Sequence, residues 1–205
     1  MRDTLDCTGM SKPICAAVIA IAFGMASASA QSPVSVVIDT DLGSIEVQLE
    51  PARAPVSVAN FLRYVDGGLY DGGRFHRAVT MTNQVRSDVR IEVVQAGRSP
   101  ERAKAQPGFG AIALERTSVS GLRHTDGTIS MARGSTADSA SSDFFICVGD
   151  QPSLDFGGAR AADGQGFAAF GRVVRGMDVV RKIQARPAPN ERLDPPVVIT
   201  KIYRK

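Results

Sequence analysis

The chain has 205 residues, 43% of them hydrophobic and 22% charged, with a formal net charge of +3 and a pI near 8.9. This composition excludes wholesale disorder, and the mild basicity is too diffuse to argue for a nucleic-acid surface. With only three cysteines a disulfide framework is excluded as well.

Ile14–Met25 is an unbroken run of apolar or small residues. It is too short to cross a bilayer as a helix. It leads to Ala28-Ser29-Ala30, the small-x-small pattern that signal peptidase accepts, and Lys12 supplies a positive flank. Residues 1–30 are therefore expected to be a cleaved signal peptide, with translation starting at Met10. Residues 31–205 would be the mature domain, exported and held in the periplasm without stable membrane insertion. Cleavage removes Cys7 and Cys15 and leaves Cys147, so the domain must hold together through its core.

Alternation dominates the mature chain. Val34–Ile38 and Ser44–Leu49 flank a turn that ends in Gly43, the pattern of a hairpin. Pro55–Asp66 places Val58, Phe61, Leu62 and Val65 on one helical stripe, with Pro55 in the first turn and Gly67-Gly68 as a stop. Further strand candidates are Phe75–Val79, Ile91–Gln95, Ala111–Leu114, Thr128–Ala132, Phe144–Val148, Ala168–Val174 and Val197–Tyr203. Met177–Ala185 is a second, shorter amphipathic helix. Thr80–Arg90 and Arg98–Gly110 read as loops, the second mobile. Many short strands spread along the chain predict a mainly β sandwich or barrel.

The side chains offer little conventional catalytic equipment. His76, His124 and Cys147 lack ligand spacing, so no metal is expected. There is no G-x-S-x-G motif and no phosphate-cradling glycine loop, and no cofactor is implied. Period 2 puts Phe75, Arg77 and Val79 on one face of their strand and His76 on the other. Val93 and Gln95 share a face, whereas Phe144 and Phe145 oppose each other. An Arg, a Gln and aromatic or aliphatic pieces thus stand where one barrel wall would gather them. On the residues alone, a surface Arg, a surface Gln and an ordinary core Phe are the simpler account. His76 and His124 read as structural, and Cys147 as a packing residue.

Four segments in order carry a resemblance: Phe75-His76-Arg77, Ser130-Met131-Ala132-Arg133, Ser141-Ser142-Asp143-Phe144-Phe145-Ile146, and Phe170 to Val180. Together with the opening Thr40 to Arg77, they resemble cyclophilin-type peptidyl-prolyl cis-trans isomerases of the exported bacterial kind, from about Val36 to Tyr203. The resemblance implies a closed eight-stranded antiparallel β-barrel capped by two α-helices, with a peptide groove on its outer wall. It implies Arg77 and Gln95 as catalytic residues. Val93, Phe145, Leu154 and Phe167 would form the proline pocket, and Ala132 and Arg133 would supply the edge that pairs with the peptide. Glu92 falls where the family carries a rim aromatic, Asp143 where it carries a glutamine, and Ser153 where eukaryotic members carry Trp. That last difference implies weak binding of cyclosporin-type ligands. The implied partners are proline-containing polypeptides bound by a monomer. Two alternatives share the architecture: a non-catalytic peptide-binding chaperone or adaptor, and a carrier with a hollow barrel.

Overall fold

The computed structural model describes residues 32–205; the expected signal peptide lies outside the described residues. The strands are β1 (Val34–Thr40), β2 (Gly43–Leu49), β3 (Arg74–Val79), β4 (Val93–Gly97), β5 (Thr128–Met131), β6 (Phe144–Cys147), β7 (Ala168–Arg175) and β8 (Arg192–Arg204). They close into a barrel in the order β1-β2-β7-β5-β6-β4-β3-β8. Every neighbouring pair is antiparallel, so no strand edge is left open. The helices are α1 (Pro55–Asp66), α2 (Pro100–Ala105), α3 (Thr117–Ser120) and α4 (Met177–Gln184).

The β1–β2 turn forms as expected. Thr40 pairs with Gly43, and the Thr40 hydroxyl donates to the Gly43 carbonyl at 2.7 Å. Gly43 has φ +128°, and a Cβ there would stand 3.0 Å from Cγ2 of Val179 on α4. The backbone conformation therefore calls for glycine, and the helix contact leaves a Cβ little room.

α1 buries Val58, Phe61, Leu62 and Val65, the stripe read from the sequence. Ala54 offers its first turn no side-chain cap. The Glu115 carboxylate caps it from a distance instead, accepting from the Val56 and Ser57 N–H groups at 2.9 and 2.8 Å. Two otherwise orphaned donors at a positive helix end thus meet a negative charge. Phe61 enters an aromatic cluster, with ring centroids 5.4 Å from Phe144, 5.3 Å from Phe170 and 5.4 Å from Tyr70. α4 buries Val179, Val180 and Ile183 beside the β1–β2 turn, at the other end of β2 from α1. The barrel interior is filled by these side chains with Ile38, Ile45, Leu49 and Ile129. A hollow carrier has no calyx to use.

Three expectations are corrected. Ala111–Leu114 is not a strand; only Ile112 bridges to Ala140. Arg98–Gly110 is not a bare loop. It contains α2, started by Pro100 and capped by the Ser99 hydroxyl, which accepts from the Arg102 N–H at 3.0 Å. Phe109 pins its far end between Tyr64 and Arg63.

The third correction shapes the site. Phe75 and Arg77 do not share a face of β3. Phe75 pairs with Ala96 while Arg77 pairs with Gln95, so β3 carries one extra residue there. This β-bulge shifts the alternation by one. Phe75 and Ala78 both point into the barrel. His76 and Arg77 both face outward and border a common depression.

Candidate active site

A second, smaller apolar cluster sits on the outer wall of the barrel. It comprises Val79, Ile91, Val93, Phe145, Cys147 and Leu154, with Ala132 and Phe167 packed against it. The pleat creates it. Phe144 and Ile146 of β6 join the interior, whereas Phe145 and Cys147 point out, as their alternation predicts.

Strand register then lines up a row. Arg77 pairs with Gln95 across β3–β4, Gln95 with Phe145 across β4–β6, and Phe145 with Ser130 across β6–β5. Four adjacent strands thus present one residue each at the same level, at the roughly 4.8 Å strand spacing. The row's first three members, with Ser130 buried at the far end, border a cavity of about 130 Å³ lined by Arg77, Ile91, Val93, Gln95, Ala132, Arg133, Phe145, Leu154, Arg160 and Phe167. All eight residues singled out from the sequence are brought together in it. A larger hollow of about 490 Å³ lies beside α1, but its carboxylate, Asp66, is already paired with Arg204.

The guanidinium of Arg77 is fixed on two sides. Its Nη1 donates to Gln95 Oε1 at 2.9 Å. Its Nε and Nη2 donate to Glu191 Oε2 at 2.9 and 2.6 Å. Arginine carries five N–H donors in a planar fork. Three are spent on orientation, and one each at Nη1 and Nη2 remains for a bound group. The other Glu191 oxygen accepts from the Val85 N–H at 3.1 Å. Glu191 is itself buried and adopts φ +69°, directly after Asn190 at φ +50°. Two consecutive non-glycine residues in the left-handed region are a costly backbone choice. Here they aim a carboxylate at the arginine.

The cavity floor is built from below. Phe145 stands edge-on to Phe167, with centroids 5.6 Å apart, and its other face stacks on the His124 ring at 5.9 Å. His124 is buried between Asp155, whose Oδ1 lies 2.7 Å from Nδ1, and Ser130, whose hydroxyl lies 2.9 Å from Nε2. The Asp155 oxygen also accepts the His124 backbone N–H at 3.1 Å. Burial works against the Asp155 carboxylate, but the hydrogen bonds from the His124 side chain and backbone, with the Arg123 charge nearby, outweigh it. The carboxyl therefore lies below its ordinary range. Although it spells Ser, His and Asp, this chain is enclosed under the floor and opens on no substrate site. Burial, reinforced by the nearby carboxylates, drives the Cys147 thiol far above its usual range and leaves it a packing group.

On the remaining wall, Arg133 lies over the Phe167 ring at 5.1 Å. Its Nε donates to the Gly166 carbonyl at 2.8 Å and its Nη2 to Asp163 at 2.7 Å. The Ala132 N–H already donates to the Asp143 carbonyl at 2.8 Å.

Two sequence readings change. Glu92 is not on the cavity rim: its side chain faces Gln184 of α4. Ile91 lines the cavity in its place. His76 does not lie across the strand from Arg77; the bulge turns both outward, with His76 Nε2 at 3.9 Å from Asp143. Sequence reasoning missed Glu191, Ile91, Arg160 and the Ser130–His124–Asp155 chain. Pro189-Asn190 is a turn-forming pair, but nothing local says where the next carboxylate points.

A closed barrel with an arginine held beside an outer apolar cavity defines a class. The family model for cyclophilin type peptidyl-prolyl cis-trans isomerase/CLD matches residues 35–204, and the chain belongs to that family. It is an enzyme of the peptidyl-prolyl cis-trans isomerase class. Peptidyl-prolyl cis-trans isomerase A of Dickeya dadantii is 39% identical over 178 residues, covering 85% of each chain. Peptidyl-prolyl cis-trans isomerase B of Escherichia coli K12 is 33% identical over 148 residues, covering 71% of this chain and 80% of the relative. The crystal structure of a cyclophilin type isomerase from Cryptosporidium parvum matches with a TM-score of 0.67 at 20% identity. It covers 84% of this chain and 98% of the other.

Proposed function

We propose that the protein accelerates X-Pro isomerisation in exported, unfolded or extended polypeptides, with Arg77 as the catalytic group. The observation that carries this reading is the Arg77 guanidinium, held by Gln95 and Glu191 at the edge of an apolar cavity.

The barrier to rotation, about 18–20 kcal/mol, comes from amide conjugation. Conjugation is lost at the twisted transition state, and the prolyl nitrogen regains a lone pair. An N–H directed at that lone pair stabilises the twisted state more than either planar one. Only such differential binding raises the rate. Arg77 has two N–H groups free for it. Phe145, Val93, Leu154 and Phe167 grip the ring while the acyl side rotates. Gln95 orients Arg77 and meets the peptide backbone. With the Ala132 N–H already spent, the Ala132 carbonyl and the Arg133 backbone are left to pair with the peptide.

A thousandfold acceleration requires about 4 kcal/mol. One charge-assisted hydrogen bond supplies about 1.5–3 kcal/mol. Pocket desolvation and a pre-oriented guanidinium provide the remainder. The mechanism requires no nucleophile and no cofactor. Residues 1–30 are proposed as the export signal and residues 31–205 as the periplasmic enzyme, acting as a monomer.

The test is exchange NMR on an Ala-Ala-Pro-Phe peptide with the purified protein. Catalytic amounts are expected to broaden the cis and trans signals. Binding without faster exchange would instead establish the peptide-binding chaperone or adaptor.

A further inference from the structure

Three guanidinium groups line the cavity: Arg77, Arg133 and Arg160. Two are matched by carboxylates, Arg77 by Glu191 at 2.6 Å and Arg133 by Asp163 at 2.7 Å. Arg160 has no ion-pair partner among the described residues. Its Nη1 donates to a neutral acceptor, the Val89 carbonyl, at 2.7 Å. Glu191 and Asp88 act on it only from a distance.

Nor does this charge swing freely. The Arg160 N–H donates to the Ser153 carbonyl at 3.1 Å. Its own carbonyl accepts from Arg86 Nη1 at 2.7 Å. Arg86 is in turn clamped on Asp88 at 2.7 and 2.9 Å. The segment between Leu154 and Phe167 and the segment 80–90 thus grip each other around one cation at the cavity wall. Burial first, then the neighbouring Arg77 charge, disfavour its ionised form and push it below the ordinary arginine range. An incoming anion offsets the like charge of Arg77, and a fixed cation gives up little entropy in receiving it.

We propose that Arg160 makes this cavity selective for peptides with an acidic side chain next to the proline. The inference rests on the peptide-groove reading above and narrows its substrate class. A basic neighbour would meet an uncompensated like charge, so selection works by repulsion as well as attraction.

The test uses two peptide series, Ala-Xaa-Pro-Phe and Ala-Ala-Pro-Xaa, with Xaa as Glu, Gln or Lys. Exchange NMR gives kcat/KM, and shift titration on the same samples gives Kd. In at least one series Glu is expected to exceed Lys about tenfold at low salt, which corresponds to about 1.4 kcal/mol. The ratio should shrink in high salt. Arg160→Met should erase it and Arg160→Lys should keep part of it. Arg175→Met, which removes an exposed arginine on β7 away from the cavity, should leave it intact. Equal handling of Glu and Lys by the wild type in both series overturns the proposal whatever the variants do. A preference that survives Arg160→Met overturns it too. If no peptide exchanges faster, the isomerase reading falls, while the Kd ratio still decides the role of Arg160.

Discussion

Glu191 grips Arg77 from 114 residues further along the chain, its Oε2 accepting from both Nε and Nη2 of the guanidinium at 2.9 and 2.6 Å. Together with Gln95 it leaves the arginine a single orientation. A pre-aimed donor spends no reorganisation at the transition state.

Replacing that carboxylate should therefore affect turnover more than binding. Glu191→Gln keeps the shape but removes the charge, and with a single carbonyl oxygen it can accept from the Val85 N–H or from Arg77, not from both. We expect kcat to fall about tenfold, or about 1.4 kcal/mol, with KM changed less than twofold. Saturation kinetics by exchange NMR checks the split; a change confined to KM would place Glu191 in substrate binding instead.

Beneath the floor, His124→Leu would leave the Ser130 hydroxyl without its ring partner and the Asp155 carboxylate with only the backbone N–H of residue 124. Stranding such groups costs about 1–3 kcal/mol each. Urea unfolding should show a loss of about 2–4 kcal/mol in total, and the 5.9 Å stack that supports Phe145 disappears with it. Stability equal to wild type would show the chain to be ornamental.

Acid should weaken the same region. Asp155 is held below its ordinary value of 3.8, and the opposing cost of burial does not reverse the direction. A carboxyl whose folded pKa is depressed adds stability that is fully present above its unfolded value. That stability is lost as pH falls through the folded value. Melting curves between pH 5 and pH 2.5 should show wild type losing Tm more steeply than Asp155→Asn. Parallel curves would contradict the assignment.

The buried Cys147 thiol, with its ionisation driven upward, should resist alkylation. Iodoacetamide at pH 8 is expected to label the folded protein far more slowly than the urea-unfolded one, as read by intact mass. Equal rates would show that the outer cluster opens readily.

Where local pattern decides geometry, the sequence was readable. The β1–β2 hairpin, the α1 stripe and the opposed faces of Phe144 and Phe145 follow from turn residues and from periods of 3.6 and 2. The bulge in β3 was not readable, because an extra residue leaves no mark in an apolar-polar pattern as short as Phe75 to Val79. It alone decides that Arg77 looks outward beside His76. Just before β4 the alternation holds, since Ile91 shares the cavity face with Val93 and Gln95 while Glu92 turns away; it is the family correspondence that misplaces Glu92 on the rim. Glu191 and Arg160 were hidden for another reason. Each reaches the site from an irregular segment whose path is set by tertiary hydrogen bonds rather than by its own residues.

The most direct measurement is the kcat of Arg77→Lys and Arg77→Ala on an X-Pro peptide, with folding verified by urea unfolding. Lysine keeps a charge for Glu191 but lacks the fork that meets Gln95, Glu191 and a substrate at once. Both variants are predicted to lose at least about a hundredfold in kcat, or about 2.7 kcal/mol, while still binding the peptide. Wild-type turnover in a folded Arg77→Ala protein would contradict the account.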